Sequence, residues 1–259
     1  MMHISSKDNP RLKIIRRLVQ DPQAYRKLGL MWLEGDHLCS AARGRGVQPD
    51  LAIFCESIWP AAEFEWAQST SEVWVVPDSL FESFSALESP AKMGFLMSLP
   101  QPPELDPSVP TVVLDRLQDA GNVGAILRSA SAFGFRQILA MKGTAGLWSP
   151  KVLRAGMGAH FGLGLIEQAS LEHVRALKVP LLGTDVHAGS FLHDILNQGK
   201  LPRHCAWLMG HEGQGVSAEL MDLVSQKIRI SQPGGEESLN VATAAAICMH
   251  ASATSPAVF

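Results

Sequence analysis

Apolar and polar positions alternate in two rhythms along this 259-residue chain. In the first part, short apolar runs at Met31–Leu33, Leu51–Phe54, Val73–Val76 and Lys92–Met97 have the length and content of strands. Lys13–Val19 and Asp36–Ala42 space their apolar residues three and four apart, which predicts helices. The second part repeats the theme more regularly. Strands are predicted at Thr111–Leu114, Gln137–Met141, Phe161–Leu165, Pro180–Thr184, Cys205–Met209 and Lys227–Ile230, and helices at Val123–Ala132, 149–156, 171–178, 217–223 and 240–252. Apolar strands alternating with helices predict an α/β fold whose C-terminal sheet is mostly parallel and covered by helices.

A break in the pattern divides the chain. Residues 100–110 read PQPPELDPSVP, with five prolines in eleven positions, a composition that stops helices and sheet ladders and favours a stiff extended connection. The expected organisation is a small N-terminal α/β domain over 1–98, a linker over 99–110 and a second domain over 111–259. With 46% hydrophobic residues the chain can fill such cores, which excludes a disordered or fibrous protein.

Charge adds one local feature. Lys and Arg total 22 against 25 Asp and Glu, a formal charge of -3 that points to no partner. Within residues 1–30, however, Lys7, Arg11, Lys13, Arg16, Arg17, Arg26 and Lys27 face only Asp8 and Asp21, a local charge of +5. Such a segment suits nucleic-acid phosphates, and equally a solvated helix face. Cys39, Cys55, Cys205 and Cys248 lack the paired spacing of a zinc site, and the histidines and acids form no metal pattern, so no metal is expected. The start of the chain has no signal-peptide apolar run, and no apolar stretch reaches a membrane span of roughly 18 residues. A soluble, cytoplasmic protein without membrane contact is the expectation.

Three glycine-bearing segments follow predicted strands. The first, LDRLQDAGNVGAILRSASAFGF at 114–135, sets Asn122 between Gly121 and Gly124 at a helix mouth, with Arg128 less than two turns further on. Both could border one cleft beyond the strand ends. A turn glycine, an Asn near an N-cap and a surface Arg would read the same way. The second, WLMGHEGQGVS at 207–217, has three glycines in six positions, a backbone able to wrap a ligand, with Glu212 placed to orient the loop or accept a ligand hydrogen bond. A tight turn before a helix capped at Ser217 explains it as well. In the third, RISQPGGEESLNVATAAAICMHA at 229–251, Ser238 and Asn240 each suit an N-cap, and Ala242, Ala244, Ala245 and Ala246 permit close helix packing. Neither the GxGxxG fingerprint nor the GxxxxGK[ST] phosphate loop is present, which weakens a nucleotide-binding metabolic enzyme.

Taken together and in this order, the three segments resemble the signature motifs of the SpoU or TrmH family, RNA ribose 2′-O-methyltransferases of the SPOUT class, over roughly residues 111–252. The opening ISSKDNPRLKIIRRL and the WLEGDHLCSAA segment resemble the accessory RNA-binding domain of the same family. The resemblance implies a SPOUT-type trefoil knot in the second domain, S-adenosylmethionine as cofactor, and a homodimer through that domain. It implies catalytic roles for Asn122, Arg128, Glu212, Ser238 and Asn240. Cofactor binding falls to Thr184, Met209, Gly210, Gly213 and Gly215, with Ile230, Gln232, Ser238 and Leu239 from the third segment. RNA contacts are expected from Lys7, Arg11, Lys13, Arg16 and Arg17, and from Arg128. Two departures stand out: Ile230-Ser231-Gln232 replaces the usual Ile-Pro-Met, and Ala242 stands where a Ser commonly follows SLNV.

The implied reaction moves a sulfonium methyl group to a ribose 2′-hydroxyl, an acceptor that RNA has and DNA lacks. Arg128 would either take the hydroxyl proton or bind a phosphate and polarise the hydroxyl, and a guanidinium pKa above about 12 weighs against the first role. Ribosomal RNA is the expected substrate ahead of transfer RNA. The alternatives are a tRNA 2′-O-methyltransferase, an antibiotic-resistance rRNA methyltransferase, or a non-enzymatic RNA-binding protein.

Overall fold

The computed structural model describes residues 1–66, 70, 72–85, 87–234 and 238–256, with the backbone alone at 63–65. The chain forms two compact units, Met1–Gln101 with Trp148–Phe161, and Pro102–Leu147 with Gly162–Phe259.

The first unit contains β1 (Met2–His3), α1 (Pro10–Gln20), α2 (Ala24–Leu28), β2 (Leu30–Glu34), α3 (Asp36–Gly44), β3 (Leu51–Cys55), α4 (Trp59–Trp66), β4 (Val73–Val76), α5 (Asp78–Glu82) and β5 (Met93–Ser98). Its sheet order is β1-β4-β3-β5-β2; β1, β4 and β3 are parallel, and β5 runs antiparallel to both of its neighbours. Helix α1 starts where Asn9 accepts a hydrogen bond from Arg11 N at 2.9 Å and Pro10 presets the first helical φ. Leu12, Ile15 and Leu18 recur every third residue and are buried, each contributing about 1.5–3 kcal/mol of burial. Glycine is required at 94, opposite Glu34 on β2, because a Cβ there would fall 2.3 Å from the Trp32 ring.

The second unit opens with β6 (Thr111–Leu114), α6 (Ala120–Ala132) and β7 (Gln137–Met141). The next helix, α7 (Pro150–Gly156), belongs to the first unit and packs along β2. Gly158 (φ +84) follows it at a point where a Cβ would lie 2.3 Å from the Ala41 Cβ. The second unit then continues with β8 (Gly164–Ala169), α8 (Leu171–Arg175), β9 (Leu181–Thr184), β10 (Ser190–Phe191), α9 (Leu192–Asn197), β11 (Ala206–Met209), α10 (Ala218–Met221), β12 (Gln226–Arg229) and α11 (Val241–Thr254). Seven strands lie in the order β10-β12-β9-β11-β6-β7-β8, and every neighbouring pair is parallel. The α/β reading with a mostly parallel C-terminal sheet therefore holds.

Val113, Leu139, Ile166, Ala206 and Leu208 form one buried sheet face, covered by Val174 of α8 and Leu220 of α10. The chain steps from β6 through β7 to β8, then crosses back to β9, and β11 later enters between β9 and β6. This reversal makes the carboxyl ends of β9, β11 and β6 the expected ligand crevice.

Several boundaries differ from the sequence pattern. The strand expected at Phe161–Leu165 begins at Gly164, because Ala159–Gly162 forms a 3-10 turn and Phe161 packs its ring 6.4 Å from that of Trp148. Helix α8 ends at Arg175 rather than 178, and α10 at Met221 rather than 223. Helix α6 starts at Ala120, three residues before the expected Val123.

Candidate active site

The three sequence segments leave the carboxyl ends of β6, β11 and β12, and hydrogen bonds join them. After β6, Asp119 caps α6 by accepting from Asn122 N at 2.7 Å, so Asn122 lies in the first helical turn and is not itself the cap. After β11, the chain folds into a tight reversal in which His211 N donates to Gly215 O at 3.0 Å and Gly215 N to His211 O at 2.8 Å. Gly215 has φ +68, and a Cβ on Gly210 would sit 2.1 Å from the Gly215 carbonyl carbon and Val216 N. The loop closes this tightly because position 210 has no side chain.

That reversal presents Glu212 to the α6 mouth. Its Oε2 accepts from Gln118 N at 3.3 Å, and its Oε1 from Asp119 N at 3.2 Å and Asn122 Nδ2 at 3.3 Å. The other end of the Asn122 amide, Oδ1, accepts from Asn240 Nδ2 at 2.9 Å. Asn240 in turn caps α11, its Oδ1 accepting from Ala242 N at 2.9 Å and Thr243 N at 3.2 Å. Glu212, Asn122 and Asn240 thus form one continuous chain across the three loops, and each amide is engaged at both ends, which fixes its orientation.

The electrostatics agree with that geometry. Partial burial pushes the Glu212 carboxyl up, but N–H donors from Glu212 itself, Asp119, the Asn122 amide and Gln118 outweigh it, and the net shift is downward. Glu212 is an anionic acceptor at neutral pH and, with its pKa depressed, a poor proton acceptor from an alcohol.

A second set of contacts, absent from the sequence reading, ties the same two loops together. Asp115 at the end of β6 is buried; its Oδ1 accepts from Arg116 Nε at 2.9 Å and its Oδ2 from Ser217 N at 2.7 Å. Arg116 Nη1 reaches Gln214 Oε1 at 3.1 Å. The hydrogen bond to Asp115, followed by its charge, raises the Arg116 pKa. Ser217 occupies the N-cap of α10 without a side-chain capping bond, and its backbone N–H serves Asp115. The available signal was a charged pair, Asp115-Arg116, directly after a β-branched strand.

The remaining candidates separate into groups. Thr184 ends β9 with Oγ1 donating to Leu208 O at 3.1 Å, and Met209 is fully buried. In the loop after β12, the Gln232 Oε1 and the nearby Arg229 Nε are buried without a hydrogen-bond partner among the described residues. Ile230 and Leu239 are half-buried, while Ser238, Gly213 and Gly215 are exposed. Arg128 is exposed on α6 and, among the described residues, makes no hydrogen bond or ion pair to the Asn122 chain or to any other group. It lies about 120° around the helix from Asn122 at 100° per residue, so the two do not share a face.

On the first unit, the expected RNA-contacting residues are partly occupied. Arg11 pairs with Glu72 and stacks 5.7 Å over Trp74, Lys13 lies 3.3 Å from Asp8, and Arg16 donates to Lys7 O at 2.7 Å and Ser83 Oγ at 3.1 Å. Arg17 is exposed and has no partner among the described residues. Among those residues no group of three or more His, Cys, Asp or Glu could hold a metal ion, and no helix is long and apolar enough to cross a membrane.

A parallel sheet of this topology, with three polar loops converging at its carboxyl edge, defines a class of α/β ligand-binding enzyme. Comparison with known proteins narrows it: the SpoU rRNA methylase family matches residues 110–250, and the chain belongs to that family. It is 26% identical to the 23S rRNA guanosine 2′-O-methyltransferase RlmP of Bacillus subtilis, over 96% of this chain and 98% of that one. It is 30% identical to an uncharacterized tRNA/rRNA methyltransferase of Synechocystis, over 95% and 92%. The AdoMet-bound rRNA methyltransferase of Sinorhizobium meliloti shares its fold, with a TM-score of 0.81 at 22% identity over 96% of both chains.

Proposed function

We infer that this protein transfers a methyl group from S-adenosylmethionine to a ribose 2′-hydroxyl of ribosomal RNA. The observation that carries the reading is the Glu212–Asn122–Asn240 hydrogen-bond chain, which unites the three family segments at one sheet edge. The cofactor suits the loops around it. Among the described residues, Gln232 Oε1 and Arg229 Nε are a buried acceptor and donor without hydrogen-bond partners, the Arg229 guanidinium lying 4.0 Å over the Phe191 ring, and adenosine offers both a donor and an acceptor. Thr184, Met209, Gly210, Gly213, Gly215, Ile230, Gln232, Ser238 and Leu239 would hold it.

When bound, S-adenosylmethionine would supply an electrophilic methyl group for the 2′-oxygen, with S-adenosylhomocysteine as the other product. The protein's share is alignment and management of the hydroxyl proton. Glu212 holds the α6 mouth and the Asn122 amide in place. Asn122 and Ser238 border the acceptor, and Asn240 locks Asn122 from the other side. Arg128, without a partner among the described residues, binds the target phosphate and polarises the 2′-hydroxyl, whose proton passes to solvent as methyl transfer proceeds. Lys7, Arg11, Lys13, Arg16 and Arg17 on the first unit contribute phosphate attraction, with Arg17 the most available.

The reading extends to a homodimer through the second unit, supported by the exposed Ile247 on the small-residue helix α11. It extends also to a C-terminal trefoil knot, supported by family membership, and to a cytoplasmic setting, supported by four buried free cysteines. Ribosomal RNA ranks ahead of transfer RNA because the Bacillus subtilis relative is named for 23S rRNA. Incubation with methyl-labelled S-adenosylmethionine and separate ribosomal and transfer RNA pools, followed by nucleoside digestion, tests it. Label in a 2′-O-methylnucleoside from ribosomal RNA is expected; label in neither pool overturns the reading.

A further inference from the structure

A cavity of about 410 Å³ opens at the carboxyl ends of β6, β7 and β8, and its lining includes Arg116, Met141, Lys142, Leu171, Ala218 and Glu219. That volume is within the range of small-ligand sites, and its place beyond parallel strand ends is where such sites form. None of these residues belongs to the Glu212–Asn122–Asn240 chain. The cavity nonetheless adjoins it, since Arg116 bonds Gln214, two residues from Glu212.

The rim is built from backbone that ordinary residues avoid. Arg116 is a non-glycine residue at φ +59. Gly143 faces it at φ +98, and a Cβ there would crowd the Arg116 Cγ at 3.3 Å. The buried Asp115 holds Arg116 in this conformation and also fixes Ser217 N, so its carboxylate is fully engaged and unavailable to a ligand. Two lining charges, Lys142 and Glu219, make no hydrogen bond or ion pair among the described residues; both are exposed, and the Glu219 carboxylate lies close enough to Arg116 to help raise its pKa. Between them Met141 and Leu171 supply an apolar wall.

An apolar wall, an exposed ammonium and an exposed carboxylate match the three parts of a nucleotide. The wall takes a base face, Lys142 a phosphate, and the two oxygens of Glu219 take two adjacent N–H donors. Among the four RNA bases only guanine offers such a pair on its pairing edge. Resting on the reading that this chain methylates RNA, we propose that the cavity receives an unstacked guanine of the substrate next to the methylated ribose, with Glu219 reading its edge and Lys142 its phosphate. This makes Glu219 and Lys142 specificity determinants and Asp115 and Arg116 positioning residues.

The test compares the full-length protein with Ala218→Trp, which fills the cavity from an exposed wall position, and with Glu219→Gln and Lys142→Ala, which are surface changes. Thermal stability and S-adenosylhomocysteine affinity should stay at wild-type values in all three. The KM for RNA should rise roughly tenfold in Ala218→Trp and Glu219→Gln, the loss of about one good base contact. Replacing guanosines of a synthetic substrate by inosine, one at a time, should produce the same rise at a single position and erase the difference between wild type and Glu219→Gln there. Unchanged RNA KM in Ala218→Trp and Glu219→Gln, with wild type active, overturns this inference alone. A wild-type protein that methylates no RNA overturns the functional reading and this inference with it. If Ala218→Trp fails to fold, Glu219→Gln and the inosine series decide the matter.

Discussion

Asn240 performs two tasks with the two ends of one amide, and substitution can separate them. Its Oδ1 caps α11 through Ala242 N and Thr243 N, while its Nδ2 sets the Asn122 amide. Asn240→Ala removes both contributions. Losing an N-cap costs about 1 kcal/mol, and in a chain of this size that lowers the midpoint of thermal unfolding by about 2–4 °C. Asn240→Asp keeps an oxygen for the cap and adds negative charge at a helix N-terminus, which is favourable, so its midpoint should stay within about 1 °C of wild type. The same Asp, however, turns an acceptor toward Asn122 Oδ1, which is itself an acceptor. Both variants therefore lose the bond that orients Asn122, worth about 1 kcal/mol, or roughly five- to tenfold in turnover. Calorimetric scans and methyl incorporation under saturating cofactor read the two effects separately. Full turnover in a stable Asn240→Asp protein would refute the orienting role of the bond.

Three further outcomes follow from the same geometry. Because Glu212 has its pKa lowered in the folded state, its tether contributes stability above the ordinary carboxylate range and loses it as pH falls through the folded-state value. The difference in unfolding midpoint between wild type and Glu212→Gln should accordingly be largest above about pH 5 and close in acid; a gap that widens in acid contradicts the assignment. Gly210→Ala should destabilise the protein by about 1–3 kcal/mol in denaturant titration and weaken S-adenosylhomocysteine binding, because the new methyl meets backbone at 2.1 Å. Arg128→Ala should keep its unfolding midpoint and cofactor affinity while turnover falls by orders of magnitude, since the side chain has no partner to lose among the described residues; a variant with normal turnover removes Arg128 from the mechanism.

The strands were readable because β6 and β11, as TVVL and AWLM, are buried on both faces and therefore run as unbroken apolar segments. Less of the small helices was readable. Helices α2 and α5 are five residues each, shorter than two turns, and α4, reading WPAAEFEW, has no periodic apolar stripe. The two-residue strands β1 and β10 have no pattern at all and exist only through their parallel partners β4 and β12. In the site, glycines and polar residues after strands marked each loop on its own. The Asn122–Asn240 bond joins positions 118 apart, and no spacing rule connects them. The brace formed by Asp115, Arg116, Gln214 and Ser217 escaped for the same reason, as its value depends on two loops meeting. Periodicity also placed Arg128 near Asn122 along the helix without separating their faces, which the helical angle does.

At this site a ribose oxygen of RNA accepts the methyl group. Once the methylated nucleotide is mapped, a synthetic RNA carrying a single 2′-deoxy substitution at that position tests it. This RNA should bind the protein but take up no label, while the matched ribose substrate is methylated. Continued incorporation into the deoxy-substituted RNA would move the reaction to a base and contradict ribose methylation.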